Sequence, residues 1–324
     1  MSCFWAVVAF LRREFYPAFL KSSTQAKVIC VGNIHSGGSG KTPLILELIK
    51  HFQKDNPSVL SRGYGGKLSS QGAKVEKNQI NGAELYGDEP WMLAQRTEAS
   101  IYISKDRVKG VQRIEHEVMS KLVFMDDGFQ HLPLNRGVDI ICINIDKKPE
   151  ESFCLPLGEL REPISAIRKA HIIILTPGVS KTGLETWKEV LNSLVPEIPY
   201  FEATRKMDCV WNGESEQGLM DAKYLGFCGV AEPNRFRQDF ASVFPSGRYY
   251  ESFPDHDVYN TKTLELLVEE RNRGGYCGLV TTDKDWYKLR NREELSGEKL
   301  LSLRISYRLP PVFWELVERK IVEN

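Results

Sequence analysis

An apolar run, "KVICVGN" (27–33), breaks into "IHSGGSGKT" (34–42) and then into the helical pattern "KTPLILELIKHFQK" (41–54). No other stretch constrains the fold of this 324-residue chain as tightly. The run is too short for a helix and rich in Val and Ile, so it reads as a buried strand. Gly37, Gly38 and Gly40 allow close backbone approach to a ligand, and Ser39 lies between them. A helix starting near Lys41 aims its free N–H groups and the positive end of its dipole into the same turn. Such a turn cradles phosphate, with Lys41 reaching the outer phosphates and the Thr42 hydroxyl able to hold Mg2+. The strict pattern G-x-x-x-x-G-K-[ST] asks for glycine at position 35, where His35 stands. At a strand exit a non-glycine is tolerated when its backbone stays ordinary.

The rest of the first two thirds repeats the same alternation. "PSVLSRG" (57–63), "SIYIS" (100–104), "KLVFMDD" (121–127), "DIICINI" (139–145) and "HIIILTPG" (171–178) are short, Val/Ile-rich runs. Helical segments such as "EPWMLAQRT" lie between most of them. Near-continuous apolar strands alternating with helices mean βαβ units and a parallel sheet covered on both faces. Near residue 200 the pattern changes. "PYFEATRKMDCVWN" and "LLSLRISYRLP" (300–310) alternate and bracket a second, smaller set of α/β units. We therefore expect an N-terminal helix in 1–24 and an α/β core of 25–200 with a parallel sheet. A smaller α/β domain with linker strands follows in 201–310, joined by a two-stranded β linker, and the helix 311–324 returns to the core.

Lys plus Arg and Asp plus Glu balance at 43 each, so no net charge points to nucleic acid. The seven cysteines are scattered without paired spacing and several sit inside apolar runs, as buried small hydrophobes in a reducing compartment do. The N-terminal "MSCFWAVVAFLRREFYPAFL" is too short an apolar run to span a bilayer and lacks the leading basic residues of a secretory signal. Trp5, Phe10, Phe15, Tyr16 and Phe19 around Arg12 and Arg13 suit a helix lying in a membrane interface. Taken alone, the segment reads better as a helix docked on the protein's own core.

Two carboxylate motifs add chemistry. "LVFMDDGFQH" (122–131) places Asp126 and Asp127 at the end of a parallel strand, where a carboxylate can hold Mg2+ beside bound phosphate. DDG is also good turn chemistry. Gln130 and His131 follow into the same crevice. In "YGDEP" (86–90), Asp88 and Glu89 precede a helix. Asp88 fits two roles equally, an N-cap or a base for an acceptor hydroxyl. Arg62, Arg107 and Arg161 sit at strand ends with forked donors suited to phosphate, though an isolated arginine is more often a surface ion pair.

Together, "VGNIHSGGSGKTP", "LSRGYGG", "GDEP", "SKDRV", "DDGFQH", "LREP", "FPDH" and "TTDKD" resemble the tetraacyldisaccharide 4′-kinases of lipid A biosynthesis. The resemblance implies a two-domain P-loop architecture whose smaller domain closes over the nucleotide. It implies ATP-dependent phosphorylation of the 4′-hydroxyl of a tetraacylated glucosamine disaccharide 1-phosphate, at the cytoplasmic face of the bacterial inner membrane. Carried over by motif, it gives metal and phosphate roles to Lys41, Thr42, Asp126 and Asp127, with Glu89 nearby. Asp88 becomes the base, supported by His256, and Tyr64, Arg107, Gln130, His131 and Arg161 become active-site or acceptor contacts. It also turns the N-terminal helix towards a membrane surface, with Arg12 and Arg13 favoured by anionic headgroups. Three positions depart from the family's pattern: Asp257 replaces a second histidine, Glu159 a proline and Asp283 a glutamate. The alternative is an NTPase switch of the signal-recognition and partitioning class acting on a protein partner; Ser36 stands where that class has its signature lysine.

Overall fold

In the computed structural model, residues 2–16, 21–149, 153–178, 181–211, 214–215 and 222–323 are described. For 2–5, 10, 181, 208–211 and 214–215 only the backbone is. The described residues form two sheets. The larger contains β1 (Lys27–Gly32), β2 (Ser58–Ser61), β3 (Ala73–Lys74), β4 (Ser100–Ile103), β5 (Leu122–Asp126), β6 (Val138–Asn144), β7 (Ile172–Thr176) and β8 (Tyr200–Glu202). Their order is β3-β4-β2-β5-β1-β6-β7-β8, parallel throughout except β3. Strands β2, β5, β6 and β7 are buried along their whole length, as the apolar runs require.

The helices are α1 (Ser2–Glu14), α2 (Lys41–His51), α3 (Gly82–Tyr86), α4 (Asp88–Arg96), α5 (Arg107–Val118), α6 (Lys181–Leu194), α7 (Pro233–Val243), α8 (Thr261–Arg273), α9 (Asp283–Leu289) and α10 (Pro311–Glu323). The second sheet has β9 (Thr204–Trp211), β10 (Glu214–Ser215), β11 (Leu225–Cys228), β12 (Arg248–Ser252), β13 (Leu279–Thr282) and β14 (Leu300–Arg308), in the order β10-β9-β14-β13-β11-β12.

The alternating strands on either side of the smaller domain, β9 and β14, pair antiparallel from Thr204↔Arg308 to Val210↔Ser302. They are not a free-standing ribbon. Leu300–Leu303 of β14 also pairs in parallel with β13, and only Arg304–Arg308 depends on β9 alone. The two sheets share one apolar core. Trp91 and Leu93 of α4 and Trp286, Tyr287 and Leu289 of α9 belong to the same buried cluster, and Trp91 Nε1 donates to the Tyr287 carbonyl at 3.4 Å. α10 closes that cluster with Phe313 and Val317, and its Trp314 stacks on His51 at 4.2 Å.

α1 is docked rather than free. Arg13 donates twice to Glu162 and once to the Phe129 carbonyl, and its guanidinium lies 3.9 Å above the Phe129 ring. With both side chains under a tenth exposed, losing one partner would cost on the order of 3–5 kcal/mol. The expectation that Arg13 meets lipid headgroups is thereby corrected: it is spent on the core. Arg12 is exposed, as are Val7, Val8, Leu11 and Phe15. The side chains of Trp5, Phe10 and Phe19 lie outside the described residues. No helix of the described residues is long and apolar enough to cross a membrane.

Candidate active site

A cleft of about 1160 Å³ opens where the C-terminal ends of the large sheet's strands face the second sheet. Three groups of residues build it.

The loop between β1 and α2 forms its floor. Gly37 and Gly40 have φ of +88° and +73°, a region that favours glycine. Gly40 is constrained twice, because a Cβ there would lie 2.1 Å from the Tyr307 hydroxyl. Ser39 is buried; its hydroxyl accepts from Asn33 Nδ2 at 2.8 Å and its carbonyl accepts from Thr176 Oγ1 at 3.1 Å. His35 keeps a negative φ and is buried edge-on to Trp187 at 6.0 Å, paired across a β-bridge with Leu160. The odd residue of the loop is thus a packed anchor. Burial pushes its pKa down to about 4, so it stands neutral.

The second group is ionic. Lys41 Nζ lies 3.2 Å from Asp127 Oδ1. Burial opposes the lysine's charge, yet Asp127, Asp126 and Glu89 outweigh it and raise its pKa. Asp127, at φ +51°, also takes Arg161 Nη1 on both oxygens at 2.8 Å. Lys41 and Arg161 overcome its burial and hold its carboxyl well below the usual range. Asp126 behaves oppositely. It is 2% exposed, and burial first and Glu89 second push its pKa up to about 7. Ser61 donates to its Oδ2 at 3.2 Å, while its Oδ1 is buried without a hydrogen-bond partner.

The third group joins the two sheets. Asp88 is the first residue of α4, and Gly87, at φ +92°, holds the N-cap position. The N-cap reading of Asp88 therefore fails. Its Oδ2 instead accepts from His256 Nδ1 and from Lys288 Nζ, both at 2.9 Å. These bonds overcome its burial and lower its pKa. His256 sits at φ +62° on the loop after β12, with Tyr64 at 5.5 Å between ring centres. His256, Tyr64 and Glu89 line the cleft, whereas Asp88 lies behind the histidine with a side chain 11% exposed.

The remaining sequence candidates divide. Gln130 lines the cleft and donates to the Asn33 carbonyl at 2.8 Å. His131 lines it too; burial, then Arg107 and Arg136, push its pKa down to about 4. Arg107 is 3% exposed and spends donors on the carbonyls of Ser104 and Asp126. The three departures from the family pattern are structural. Asp257 caps the Tyr259 N–H at 2.6 Å, Glu159 pairs with Lys147 at 2.7 Å, and Asp283 joins Arg96 and Arg304.

Sequence reasoning missed Lys288, Glu232 and Tyr307. Glu232, before α7, accepts from Asn144 Nδ2 at 3.2 Å and overhangs Gly38. Lys288 carried a weak signal, one helical turn beyond Asp285 in "TTDKDWYKL". Nothing in that string announces Asp88.

A glycine-rich loop feeding a helix, a lysine inside it and paired aspartates on the neighbouring strand define a P-loop phosphotransferase. The profile of the Tetraacyldisaccharide-1-P 4'-kinase family matches residues 1–322, and the chain belongs to that family. It is a kinase of lipid A biosynthesis. It is 31% identical over 314 residues to the tetraacyldisaccharide 4'-kinase of Chlorobaculum parvum, covering 90% of this chain and 83% of that one. Against the enzyme of Syntrophus aciditrophicus the identity is 32%, over 91% and 84% of the two chains. A crystal structure of LpxK from Aquifex aeolicus, described as in complex with ATP, superposes with a TM-score of 0.78 at 27% identity, over 99% of this chain and 97% of that one. The similarity falls on kinases, and no observation favours a signal-recognition-type switch.

Proposed function

We propose that the protein transfers the γ-phosphoryl group of ATP to the 4′-hydroxyl of a tetraacylated glucosamine disaccharide 1-phosphate. The observation that carries this reading is the contact of His256 with Asp88 across the two sheets, beside the Lys41 loop in one cleft. Phosphoryl transfer needs positioning, neutralised phosphate charge and a group to take the acceptor's proton. Backbone N–H groups of Gly37–Thr42 and the Lys41 ammonium bind and orient the nucleotide's phosphates. Arg161 braces Asp127, which in turn holds Lys41 in place.

Mg2+ fits the residues present. Among the described residues no three His, Cys, Asp or Glu side chains converge as a cluster, but Mg2+ is ordinarily held by one or two carboxylates plus phosphate oxygens and water. Asp126 Oδ1 is buried and unpartnered, as a carboxylate reserved for a cation would be. Thr42 and Asp126 would hold the ion, with Asp127 and Glu89 close by; it would neutralise charge on the β- and γ-phosphates.

His256 presents its ring to the cleft and Asp88 holds that ring from behind, so the proton of the acceptor hydroxyl goes to the pair through the imidazole. A carboxylate orienting an imidazole is a recurrent base design. Tyr64 and Gln130 stand at the acceptor side, with His131 and Arg107 deeper.

The cleft exceeds the ~300–1,000 Å³ of ordinary small-molecule pockets, which suits a disaccharide carrying acyl chains. Val8, Ala9 and Arg12 of α1 reach it, so the acceptor would enter past a helix resting on an anionic membrane surface. On this reading the enzyme works at the cytoplasmic face of the inner membrane. The test supplies ATP, Mg2+ and the tetraacyl disaccharide 1-phosphate in anionic vesicles. New phosphate on the 4′-position is expected, and removing residues 2–14 should raise the KM for the lipid. ATP hydrolysis with no phosphate on the lipid would overturn the reading.

A further inference from the structure

Lys288 has no part in the phosphate chemistry described above, yet its surroundings are specific. It is 11% exposed, on the last turn of α9. Its ammonium has two acceptors, Asp88 Oδ2 and the Asp257 carbonyl, both at 2.9 Å, and lies 3.7 Å from Asp285 Oδ1, an ion-pair distance beyond a hydrogen bond. Its charge also faces the Tyr259 ring at 5.6 Å. Two short acceptors from different elements, with the Asp285 charge beside them, fix where the ammonium sits.

Both acceptors belong to the site. Asp88 comes from the large sheet's domain, and the Asp257 carbonyl belongs to the loop that presents His256. That loop carries two non-glycine residues in the left-handed region, His256 at φ +62° and Tyr259 at +50°. Such backbone persists only where its surroundings over-determine it. The Asp257 side chain restrains it by capping Tyr259 N–H, Arg292 by donating to the Tyr259 carbonyl at 3.0 Å, and Lys288 by donating to the Asp257 carbonyl, the restraint next to His256.

We propose that Lys288 is a positioning residue for phosphoryl transfer, locking Asp88 and the His256 loop into one geometry across the two sheets. It does not touch the reacting atoms. It bonds the same carboxylate oxygen as His256, so Asp88 cannot turn about its Cβ–Cγ bond and release the imidazole. It also ties the small domain's loop to α4. The α4–α9 face brings Lys288 to Asp88 and keeps it there: Arg96 of α4 pairs with Asp283 at 2.5 Å, and Arg290, just after α9, donates to Gln95 at 2.7 Å. Lys284, on the same helix, turns instead to Asp255 at 2.9 Å and cannot substitute.

A competing explanation is structural: Lys288 neutralises Asp285, which is fully buried and bonded to Gly229 N–H and Thr282. The experiment separates the two, and it rests on the kinase reading. Lys288→Met alone strands the Asp285 charge and is expected to lower Tm. Lys288→Met with Asp285→Asn removes that charge and should recover Tm. If Lys288 positions the base, the double variant still loses about 10²-fold in kcat, with the KM for ATP within twofold of the parent. Wild-type turnover in the folded double variant, or a loss confined to KM, overturns the proposal. Lys288→Arg keeps the charge beside Asp285 and so tests the point should the double variant not fold. Its longer planar head cannot serve Asp88 and the Asp257 carbonyl at the same spacing, so its kcat should lie between those of lysine and methionine. Full turnover there also overturns the proposal. A parent enzyme that leaves the lipid unphosphorylated would refute the kinase reading itself.

Discussion

The two ends of the cleft are built by different means. At the phosphate end, the groups come from the C-terminal ends of two neighbouring strands of one sheet: the loop after β1, and Asp126 and Asp127 at the end of β5, the strand paired with β1. At the base end, Asp88 comes from a helix of the first sheet, while His256 and Lys288 come from the second. The first end is set by local chain and strand register. The second exists only while two sheets share a core. A lesion in one should therefore impair nucleotide binding and in the other turnover alone.

The sharpest break of this comparison sets Asp88→Asn and His256→Ala against Lys41→Met. Either base-end change should lower kcat by about 10³-fold while leaving ATP affinity within twofold, and the double change should cost no more than each single one, because the pair acts as a unit. Lys41→Met should lower both kcat and ATP affinity. Steady-state kinetics with calorimetric ATP titration reads both. Additive losses for Asp88 and His256 would dissolve the pair.

Gly40→Ala comes next. The residue has φ +73° and its new methyl would meet the Tyr307 hydroxyl. Nucleotide affinity should fall at least tenfold, with a stability cost above about 1 kcal/mol. Gly275→Ala provides the contrast, since a Cβ there meets nothing within 4 Å though φ is +62°; it should cost stability and leave ATP binding unchanged.

The smallest effect concerns His35. Unfolded, it takes up a proton near its ordinary 6.5; folded, only near 4. The unfolded state thus binds more protons between those values. The stabilising contribution is whole above pH 6.5 and falls as the pH drops towards 4, by up to about 3 kcal/mol. Urea melts at pH 7 and pH 5 should show the loss, and His35→Gln should reduce it, leaving the share of His131, which burial shifts the same way. An equal pH dependence in both proteins would assign the loss elsewhere.

Legibility followed the same division. "GGSGKT" and "DDGFQ" act through neighbours in the chain or on one paired strand, so motif and period sufficed. The parallel sheet was readable because β2, β5, β6 and β7 are apolar on both faces. The base end was reached only by resemblance: nothing in "GDEP" or "PDH" states that Asp88 and His256, 168 positions apart, will meet. Arg13 with Glu162 was misread for the same reason. An arginine in an aromatic helix looks like a membrane residue until its carboxylate partner, 149 positions on, is known. Tyr307 gave no signal, and Lys288 only its spacing from Asp285, because their partners are set by how the sheets pack.

Tyr307 also changes what moving the second sheet would mean. It belongs to the half of β14 that β9 alone supports, and its hydroxyl occupies the space that Gly40 leaves by lacking a side chain. The strap formed by β9 and this half of β14, itself part of the second sheet, is therefore also the back wall of the phosphate loop. If the strap bends, the loop must respond; if a nucleotide fixes the loop, the strap loses freedom. Loading and the position of that strand share one contact, and by thermodynamic reciprocity whatever affinity one lends the other is returned in equal measure.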